Sequence, residues 1–273
     1  MISLNLTIHN KDFLLNSVLE GIKLNTVGPY ELVCVLDGCT DKSEEILDKF
    51  IKENKSTSII KTEAPNVFET KANNIAASLS SGNYIIIIQD DMIINEKEWN
   101  GRLLFPFQSY SDVFAVTARM SHNWEFNPKS EHVKEITHRN DKWSDILQVA
   151  NIADKGNLGR DMFGIRNCVN RGPLAIRHDV FKTMGGFDEL FCPQDMDDHD
   201  FCYRTFKKTG MKCGCYPIDF LSRDEWGGTR INGFPASWLL QANQKNVKIV
   251  WERHMDLIED KLIPNENRKL IFR

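Results

Sequence analysis

The sequence predicts an α/β fold on a mostly parallel, Rossmann-like central sheet flanked by helices, and three observations carry that expectation. Tyr84–Met92 reads YIIIIQDDM, an apolar β-branched run without alternation, as in a strand buried on both faces. Strand-like and helix-like segments alternate up to that run. Acidic turns follow two of the strands, Asp37-Gly38-Cys39-Thr40-Asp41 and Gln89-Asp90-Asp91, at the edge where open α/β sheets bind ligands.

The elements follow in order. Ile2–Ile8 alternates partly and breaks at His9-Asn10-Lys11-Asp12, a strand and its turn. Leu14, Leu15, Val18, Leu19 and Ile22 recur at helical spacing. After Gly28-Pro29, Tyr30–Leu36 reads as a second buried strand, and Asp41 with Glu44 forms a capping-box pattern ahead of a helix through Ile46, Leu47, Phe50 and Ile51. Thr57–Lys61 is expected as a third strand. Glu69–Ser81 is expected as a helix with Ala72, Ile75, Ala76 and Leu79 on one face, stopped by Gly82. This order predicts parallel strands with right-handed crossovers.

Beyond Met92 a helix is expected over Glu96–Phe107 and a strand over Val113–Ala118. Ser121–Arg166 is polar and aromatic-rich without a period, and a loop of that length in a compact domain is functional or poorly ordered. Asn170–Ile176 rejoins the sheet, Asp179–Met184 and Asp198–Lys208 are helices ended by glycine, and Met211–Tyr216 is a last strand. A helix around Pro235–Gln244 then precedes a charged tail. One domain is expected over 1–273, divided into 1–118, 119–235 and a C-terminal helix and tail over 236–273.

With 273 residues, 41% hydrophobic and 26% charged, the chain has material for a large core. A net charge of -4 argues against nucleic acid as the main partner. No apolar run is long enough to cross a bilayer, and the N-terminus lacks the shape of a signal peptide. The 7 scattered cysteines fit reduced thiols, and Cys213 and Cys215 read as alternate buried strand positions rather than a zinc pair. A cytoplasmic protein is the expectation, with peripheral attachment to a membrane compatible with it.

Adjacent carboxylates at a buried strand's end are costly unless their charge is used, and Mg2+ and Mn2+ prefer oxygen ligands. Asp90 and Asp91 thus point to a metal bridged to phosphate, while a solvated helix-capping turn explains them equally well. The densest cluster is DMDDHD over Asp195–Asp200. On a helix starting near Asp197, Asp200 and Arg204 stand at i,i+4 and Asp198 at the N-terminus. An acidic helix start is the plain alternative. His199 is expected to face away.

These motifs in this order resemble glycosyltransferase family 2. Asp37–Asp41, Asn74, Gly82-Asn83-Tyr84 and Gln89-Asp90-Asp91 resemble its nucleotide-binding half. Gly185-Gly186-Phe187-Asp188-Glu189, then Asp197-Asp198-His199-Asp200 and Arg204, resemble its acceptor half. The resemblance runs from Ile2 to Tyr216, with Ser121–Arg166 unmatched. It implies a GT-A fold in which 1–118 is the nucleotide-sugar-binding half and 119–235 the acceptor-binding, catalytic half. By similarity Asp37 contacts the donor base, preferably uracil, and Thr7, His9 and Asn10 frame that pocket. Asp91, with Asp90 beside it, is then the metal ligand for Mn2+ or Mg2+, and Asp198 the general base of an inverting transfer. Three departures stand out: Gln89 replaces the first acid of the metal motif, Leu36 the first Asp of the base-binding turn, and Asp219–Arg230 lacks the family's histidine.

The implied partners are a nucleotide sugar, with UDP preferred, and a glycan, lipid-linked or protein acceptor, in glycan or polysaccharide synthesis. Asp195 and Asp197 are expected to raise the pKa of Asp198 by like-charge repulsion. Asp197 and the close-approach glycines Gly185 and Gly186 are acceptor-side candidates, Trp226 a sugar-stacking lid residue, and Lys71 and Arg230 phosphate contacts. Arg171 is a weaker candidate of the same kind. An inactive GT-A-like binding or scaffold protein is the alternative, and a nucleotidyltransferase ranks below both because no glycine-rich loop follows the first strand.

Overall fold

The computed structural model describes residues 1–118, 120–122, 124–126, 136–138, 144–146, 158–193, 195–227, 234–260 and 262–273. Strands β1 (Ile2–Ile8), β2 (Tyr30–Asp37), β3 (Ser58–Ala64) and β4 (Tyr84–Gln89) are joined by helices α1 (Asp12–Asn25), α2 (Ser43–Glu53) and α3 (Phe68–Leu79). They pair in parallel in the order β3-β2-β1-β4, so every carboxyl end points to one edge. Ile86 and Ile88 enter one core with Leu4, Leu6 and Ile8 of β1. Ile85 and Ile87 enter a second with Phe181, Phe187 and Phe201. Burial on both faces is why this run does not alternate.

The chain continues through β5 (Ile93–Ile94), α4 (Trp99–Ser109), β6 (Val113–Thr117), β7 (Met120–His122), β8 (Trp124–Phe126), β9 (Ile136–His138), β10 (Ser144–Ile146), β11 (Met162–Arg166), β12 (Cys168–Val169) and β13 (Leu174–Arg177). Then come α5 (His178–Thr183), α6 (Asp197–Thr209), β14 (Lys212–Cys215), β15 (Phe220–Leu221), α7 (Ala236–Glu259) and β16 (Glu266–Lys269). Among the described residues the main sheet has nine strands, ordered β16-β11-β14-β6-β13-β4-β1-β2-β3. Its first half is wholly parallel and its second half mixed. β13 lies antiparallel between β4 and β6, and β14 runs parallel to β6. With β13 reversed, its amino end meets the carboxyl end of β4, Leu174 facing Ile87. The turn before β13, Asn170–Pro173, therefore lies beside Gln89.

Three local expectations change. The capping box does not form: Asp41 accepts from the backbone N–H of Asp12 and of Ser43, while Glu44 pairs with Lys61 at 2.7 Å. The C-terminal helix runs on to Glu259 because Val250, Trp251, His254, Leu257 and Ile258 form one buried stripe. The charged tail contains β16, which pairs with Met162–Ile165 of β11. Cys213 and Cys215 are buried strand residues as expected. Much of Ser121–Arg166, and Arg230, lie outside the described residues. No helix among the described residues is long and apolar enough to cross a membrane.

Candidate active site

The carboxyl edge of β1 and β4 is held together by charge. The His9 backbone N–H donates to Asp90 Oδ2 at 2.8 Å, and Lys11 Nζ lies 3.5 Å from Asp90 Oδ1. Lys11 is 1% exposed and also donates to the Trp226 carbonyl at 2.5 Å, tying the segment after β15 to this edge. His9 Nδ1 sits 2.5 Å from the Asp37 carbonyl oxygen. A carbonyl only accepts, so that nitrogen carries the proton. Asn10, at φ 49, accepts from the Thr40 N–H at 2.7 Å. Thr7 is buried at the end of β1.

Asp37 corrects the first expectation. It is 0% exposed, and its two carboxylate oxygens accept from the backbone N–H of Val67 at 2.6 Å and of Phe68 at 3.0 Å. Its side chain anchors the start of α3 instead of facing the groove. Phe68, held there at φ 68, meets Phe234 and Trp238 with ring centroids 6.1 and 6.0 Å away.

Asn74, Gly185 and Gly186 take structural roles. Asn74 donates to the Phe187 carbonyl at 2.9 Å and accepts from the Phe187 N–H at 3.0 Å, so it holds the Gly-Gly-Phe turn against α3 like a paired strand residue. Arg204 braces the turn through the carbonyls of Met184 and Gly186, and pairs with Asp200 as the i,i+4 spacing predicts. Gly185 and Gly186 stand at φ +77 and +75, and a Cβ on Gly186 would fall 2.8 Å from Asn74 Oδ1. Both glycines line a cleft of about 490 Å³ with Asn74, His178 and Lys182, and neither Asp91 nor Asp198 borders it. Gly186→Ala is expected to destabilise by about 1–3 kcal/mol, from backbone strain plus displacement of Asn74. A thermal melt checks this, and an unchanged midpoint would remove the steric argument.

Lys71 is an exposed side chain paired with Glu189 at 3.6 Å. Trp226 is half-buried and packs against the main core, with the Arg223 guanidinium 5.1 Å from its ring centroid. That is a packing position rather than a free lid.

Around Asp198 the structure brings together more than the sequence indicates. Asp198 Oδ2 accepts from the Arg171 backbone N–H at 3.0 Å, and Oδ1 from the His199 N–H at 2.9 Å. His199 Nδ1 lies 2.9 Å from the same Oδ1. His199 is therefore turned toward the acid rather than away from it, and it also interacts with the Cys168 thiol. The expected rise in the pKa of Asp198 is also overturned. Burial pushes it up, but the Arg171 charge and the His199 imidazolium outweigh burial and hold the carboxyl well below the usual range. Asp195 and Asp197 move the other way, both raised mainly by burial.

Asp197 is fully buried and paired with Arg171 Nη1, which makes it a charge partner and not an acceptor contact. The Nε of the same guanidinium lies 3.3 Å from Glu69 Oε1, and Glu69 accepts from Gln89 Nε2 at 2.7 Å. Neither Glu69 nor Lys11 stands out in the sequence as a site residue, and His199 is expected from the sequence to face away. Their signals were slight: an acid in a first helical turn, a lysine just past a strand, and a histidine inside an acidic run.

Among the described residues no group of three or more His, Cys, Asp or Glu side chains is placed to hold a metal. Gln89 is neutral and bonded to Glu69, Asp90 is engaged by His9 and Lys11, and Asp91, 9% exposed, is the acid that the family resemblance assigns to the metal. One carboxylate, with a substrate's phosphate oxygens and water completing the shell, fits the habit of Mg2+.

A parallel half-sheet with an acidic carboxyl edge, faced by a carboxylate at a helix start, is the layout of GT-A glycosyltransferases, and solved structures bear out the fold. GalNAc-T7, solved with UDP, GalNAc and Mn2+, superimposes with a TM-score of 0.66 at 15% identity, covering 92% of this chain and 47% of that one. TarS residues 1-349 from S. aureus, in complex with UDP-GlcNAc, gives a TM-score of 0.60 at 13% identity, over 86% of this chain and 61% of that one. The sequence profile of glycosyl transferase family 2 matches residues 4–172, and the chain belongs to that family. The glycosyltransferase GlyG of Streptococcus pneumoniae is 31% identical over 96 residues, 35% of this chain and 32% of that protein. This chain thus matches only about a third of that relative's length.

Proposed function

We propose that the protein transfers a sugar from a nucleoside-diphosphate sugar, with UDP preferred over GDP, to an acceptor hydroxyl with inversion of configuration. Residues 1–118 bind the donor and 119–235 the acceptor. The observation that carries the reading is Asp198: an ionised, buried carboxylate at a helix start on the face reached from the carboxyl edge of β4. A carboxylate offers about four acceptor sites. The His199 N–H takes one site on Oδ1 and the Arg171 N–H one on Oδ2, which leaves a site on Oδ2 for the acceptor's hydroxyl proton.

Asp198 begins the reaction ionised, as a base must. Its lowered pKa makes it a weaker proton acceptor, so its contribution falls toward the low end of the about 10²–10⁴-fold of a positioned base. The departing nucleoside diphosphate builds up negative charge at the strand edge. A divalent cation on Asp91, when bound, would stabilise that charge. The Mn2+ in the GalNAc-T7 structure supports the assignment. Asn10, His9 and the backbone that Asp37 organises at Val67–Phe68 frame the nucleoside. The test is calorimetric titration of UDP and GDP with and without Mn2+. Binding of neither nucleotide under any metal condition would favour the scaffold reading, which the neutral Gln89 and the engaged Asp90 already motivate.

The pH profile separates the acids. Because Asp198 is held below its ordinary value, its ionised fraction stays full as pH falls, and nucleotide release should stay flat down to about pH 5. Asp195 is held above its ordinary value, mainly by burial, so a base at that position would give an acid limb above the ordinary carboxylate range. Such a limb would move the base role to Asp195.

A further inference from the structure

Arg171 joins the two halves of the site. Its guanidinium is 7% exposed and lies between Glu69, in the first turn of α3, and Asp197, at the start of α6. Glu69 also accepts from Gln89 at the end of β4. The Arg171 backbone N–H holds Asp198 Oδ2. The turn carrying Arg171 sits here because β13 enters antiparallel to β4, and Gly172 closes the approach. A Cβ on Gly172, at φ +73, would fall 2.7 Å from Gln89 Oε1 and 2.8 Å from Met92 Cε. With a carboxylate on either side of it, this arginine is a structural tie and not a binder of donor phosphate.

We infer that Arg171, gripped by Glu69 and Asp197, is the positioning residue that fixes Asp198 against the donor-side strand end. The inference rests on the reading of Asp198 as the base and deepens it. A buried ion pair tightens only when its geometry is met by further hydrogen bonds, and Gln89 supplies one on Glu69. The charged and titratable groups around Asp198 include Arg171 from the turn, His199, Asp197, Asp195 and Cys202 on or beside α6, Cys168 from β12 and Glu69 from α3. Arg171 and Glu69 connect it to Gln89 at the end of β4. Glu69 thereby places at the donor edge the acid that Gln89 lacks, turned toward the arginine.

The test uses Glu69→Gln, which keeps the bond to Gln89 and removes the charge, and Arg171→Lys, which keeps the charge and removes the fork. Nucleotide release from a UDP-sugar should fall about tenfold in each, while UDP affinity by calorimetry stays within about twofold, a split that general loss of packing would not produce. A second readout needs no turnover. The amide protons of Arg171 and His199 both bond to the Asp198 carboxylate and report its orientation by NMR. Both should shift upfield in the two variants. Unchanged amide shifts in both would overturn the tie whatever the enzyme's substrate is, as would UDP affinity falling in step with the rate. A wild-type protein that releases no nucleotide, yet shows the amide shifts on substitution, would retain the tie and reject only the proposed transfer.

Discussion

Asp198→Asn is expected to lower the rate of sugar transfer by a factor toward the low end of about 10²–10⁴, the contribution of a positioned general base. The amide has nearly the shape of the acid but cannot take the proton of an acceptor hydroxyl. UDP affinity should hardly move, because the donor edge belongs to β1 and β4 and the contacts of Asp198 are to Arg171 and His199. The fold pays something as well. Arg171 retains Asp197 and Glu69, but His199 loses its carboxylate partner.

The sign of that cost is fixed. The folded pKa of Asp198 lies below its unfolded value, so its stabilisation is present above the ordinary carboxylate range and is lost as pH falls through the folded value. The melting difference between wild type and Asp198→Asn should therefore be full at pH 7 and shrink on acidification below about pH 4. Burial lowers the pKa of His199, but Cys168 and Asp198 outweigh burial and raise it, and its share is lost as pH rises through that higher value. Retention of more than about a tenth of the wild-type rate, in folded protein, would put the base elsewhere and make Asp195 the next candidate.

The donor half was legible in the sequence because its signals are local. Four β-branched isoleucines without alternation, bounded by turn residues, read as a strand covered on both faces, and the buried stripe of α1 is the one its spacing predicts, Leu14, Leu15, Val18, Leu19 and Ile22. The Asp200–Arg204 pair was legible for the same reason, since an i,i+4 spacing is read along the chain, whereas Asp198 stood out from its acidic neighbours through the family resemblance. What the sequence hid is partnership across the fold. Asp37 looked like a free acid on a turn, yet its charge is consumed by two N–H groups from residues 67 and 68. Asn74 looked like a donor contact and instead pairs with a turn far along the chain at Phe187. The pKa of Asp198 was misjudged because only the acids Asp195 and Asp197 were weighed against it, whereas the Arg171 charge comes from a distant turn and the ring of His199, next in sequence, turns toward it. Glu69 and Arg171 are ordinary residues until β13 reverses and places one against the other.

Asp91→Ala is expected to abolish the metal-dependent part of UDP binding. The strand end offers a cation little else. Asp90 is committed to His9 and Lys11, and Gln89 faces Glu69 and the Gly172 turn. Removing a mere partner of a metal ligand costs about 10–100-fold in metal affinity, and removing the ligand itself should cost no less. Asp90→Ala separates charge from ligation. It releases Lys11 and the Trp226 carbonyl that Lys11 holds, which should loosen the segment after β15 and lower the melting temperature while leaving the Mn2+ enhancement of UDP binding largely in place. Calorimetry on the two variants, with and without Mn2+, reads both effects. If UDP binds wild type equally well without metal, Asp91 has no cation to lose. The charge of the leaving diphosphate would then fall to Lys11, a buried ammonium already pinned at that edge whose nearest anion is 3.5 Å away.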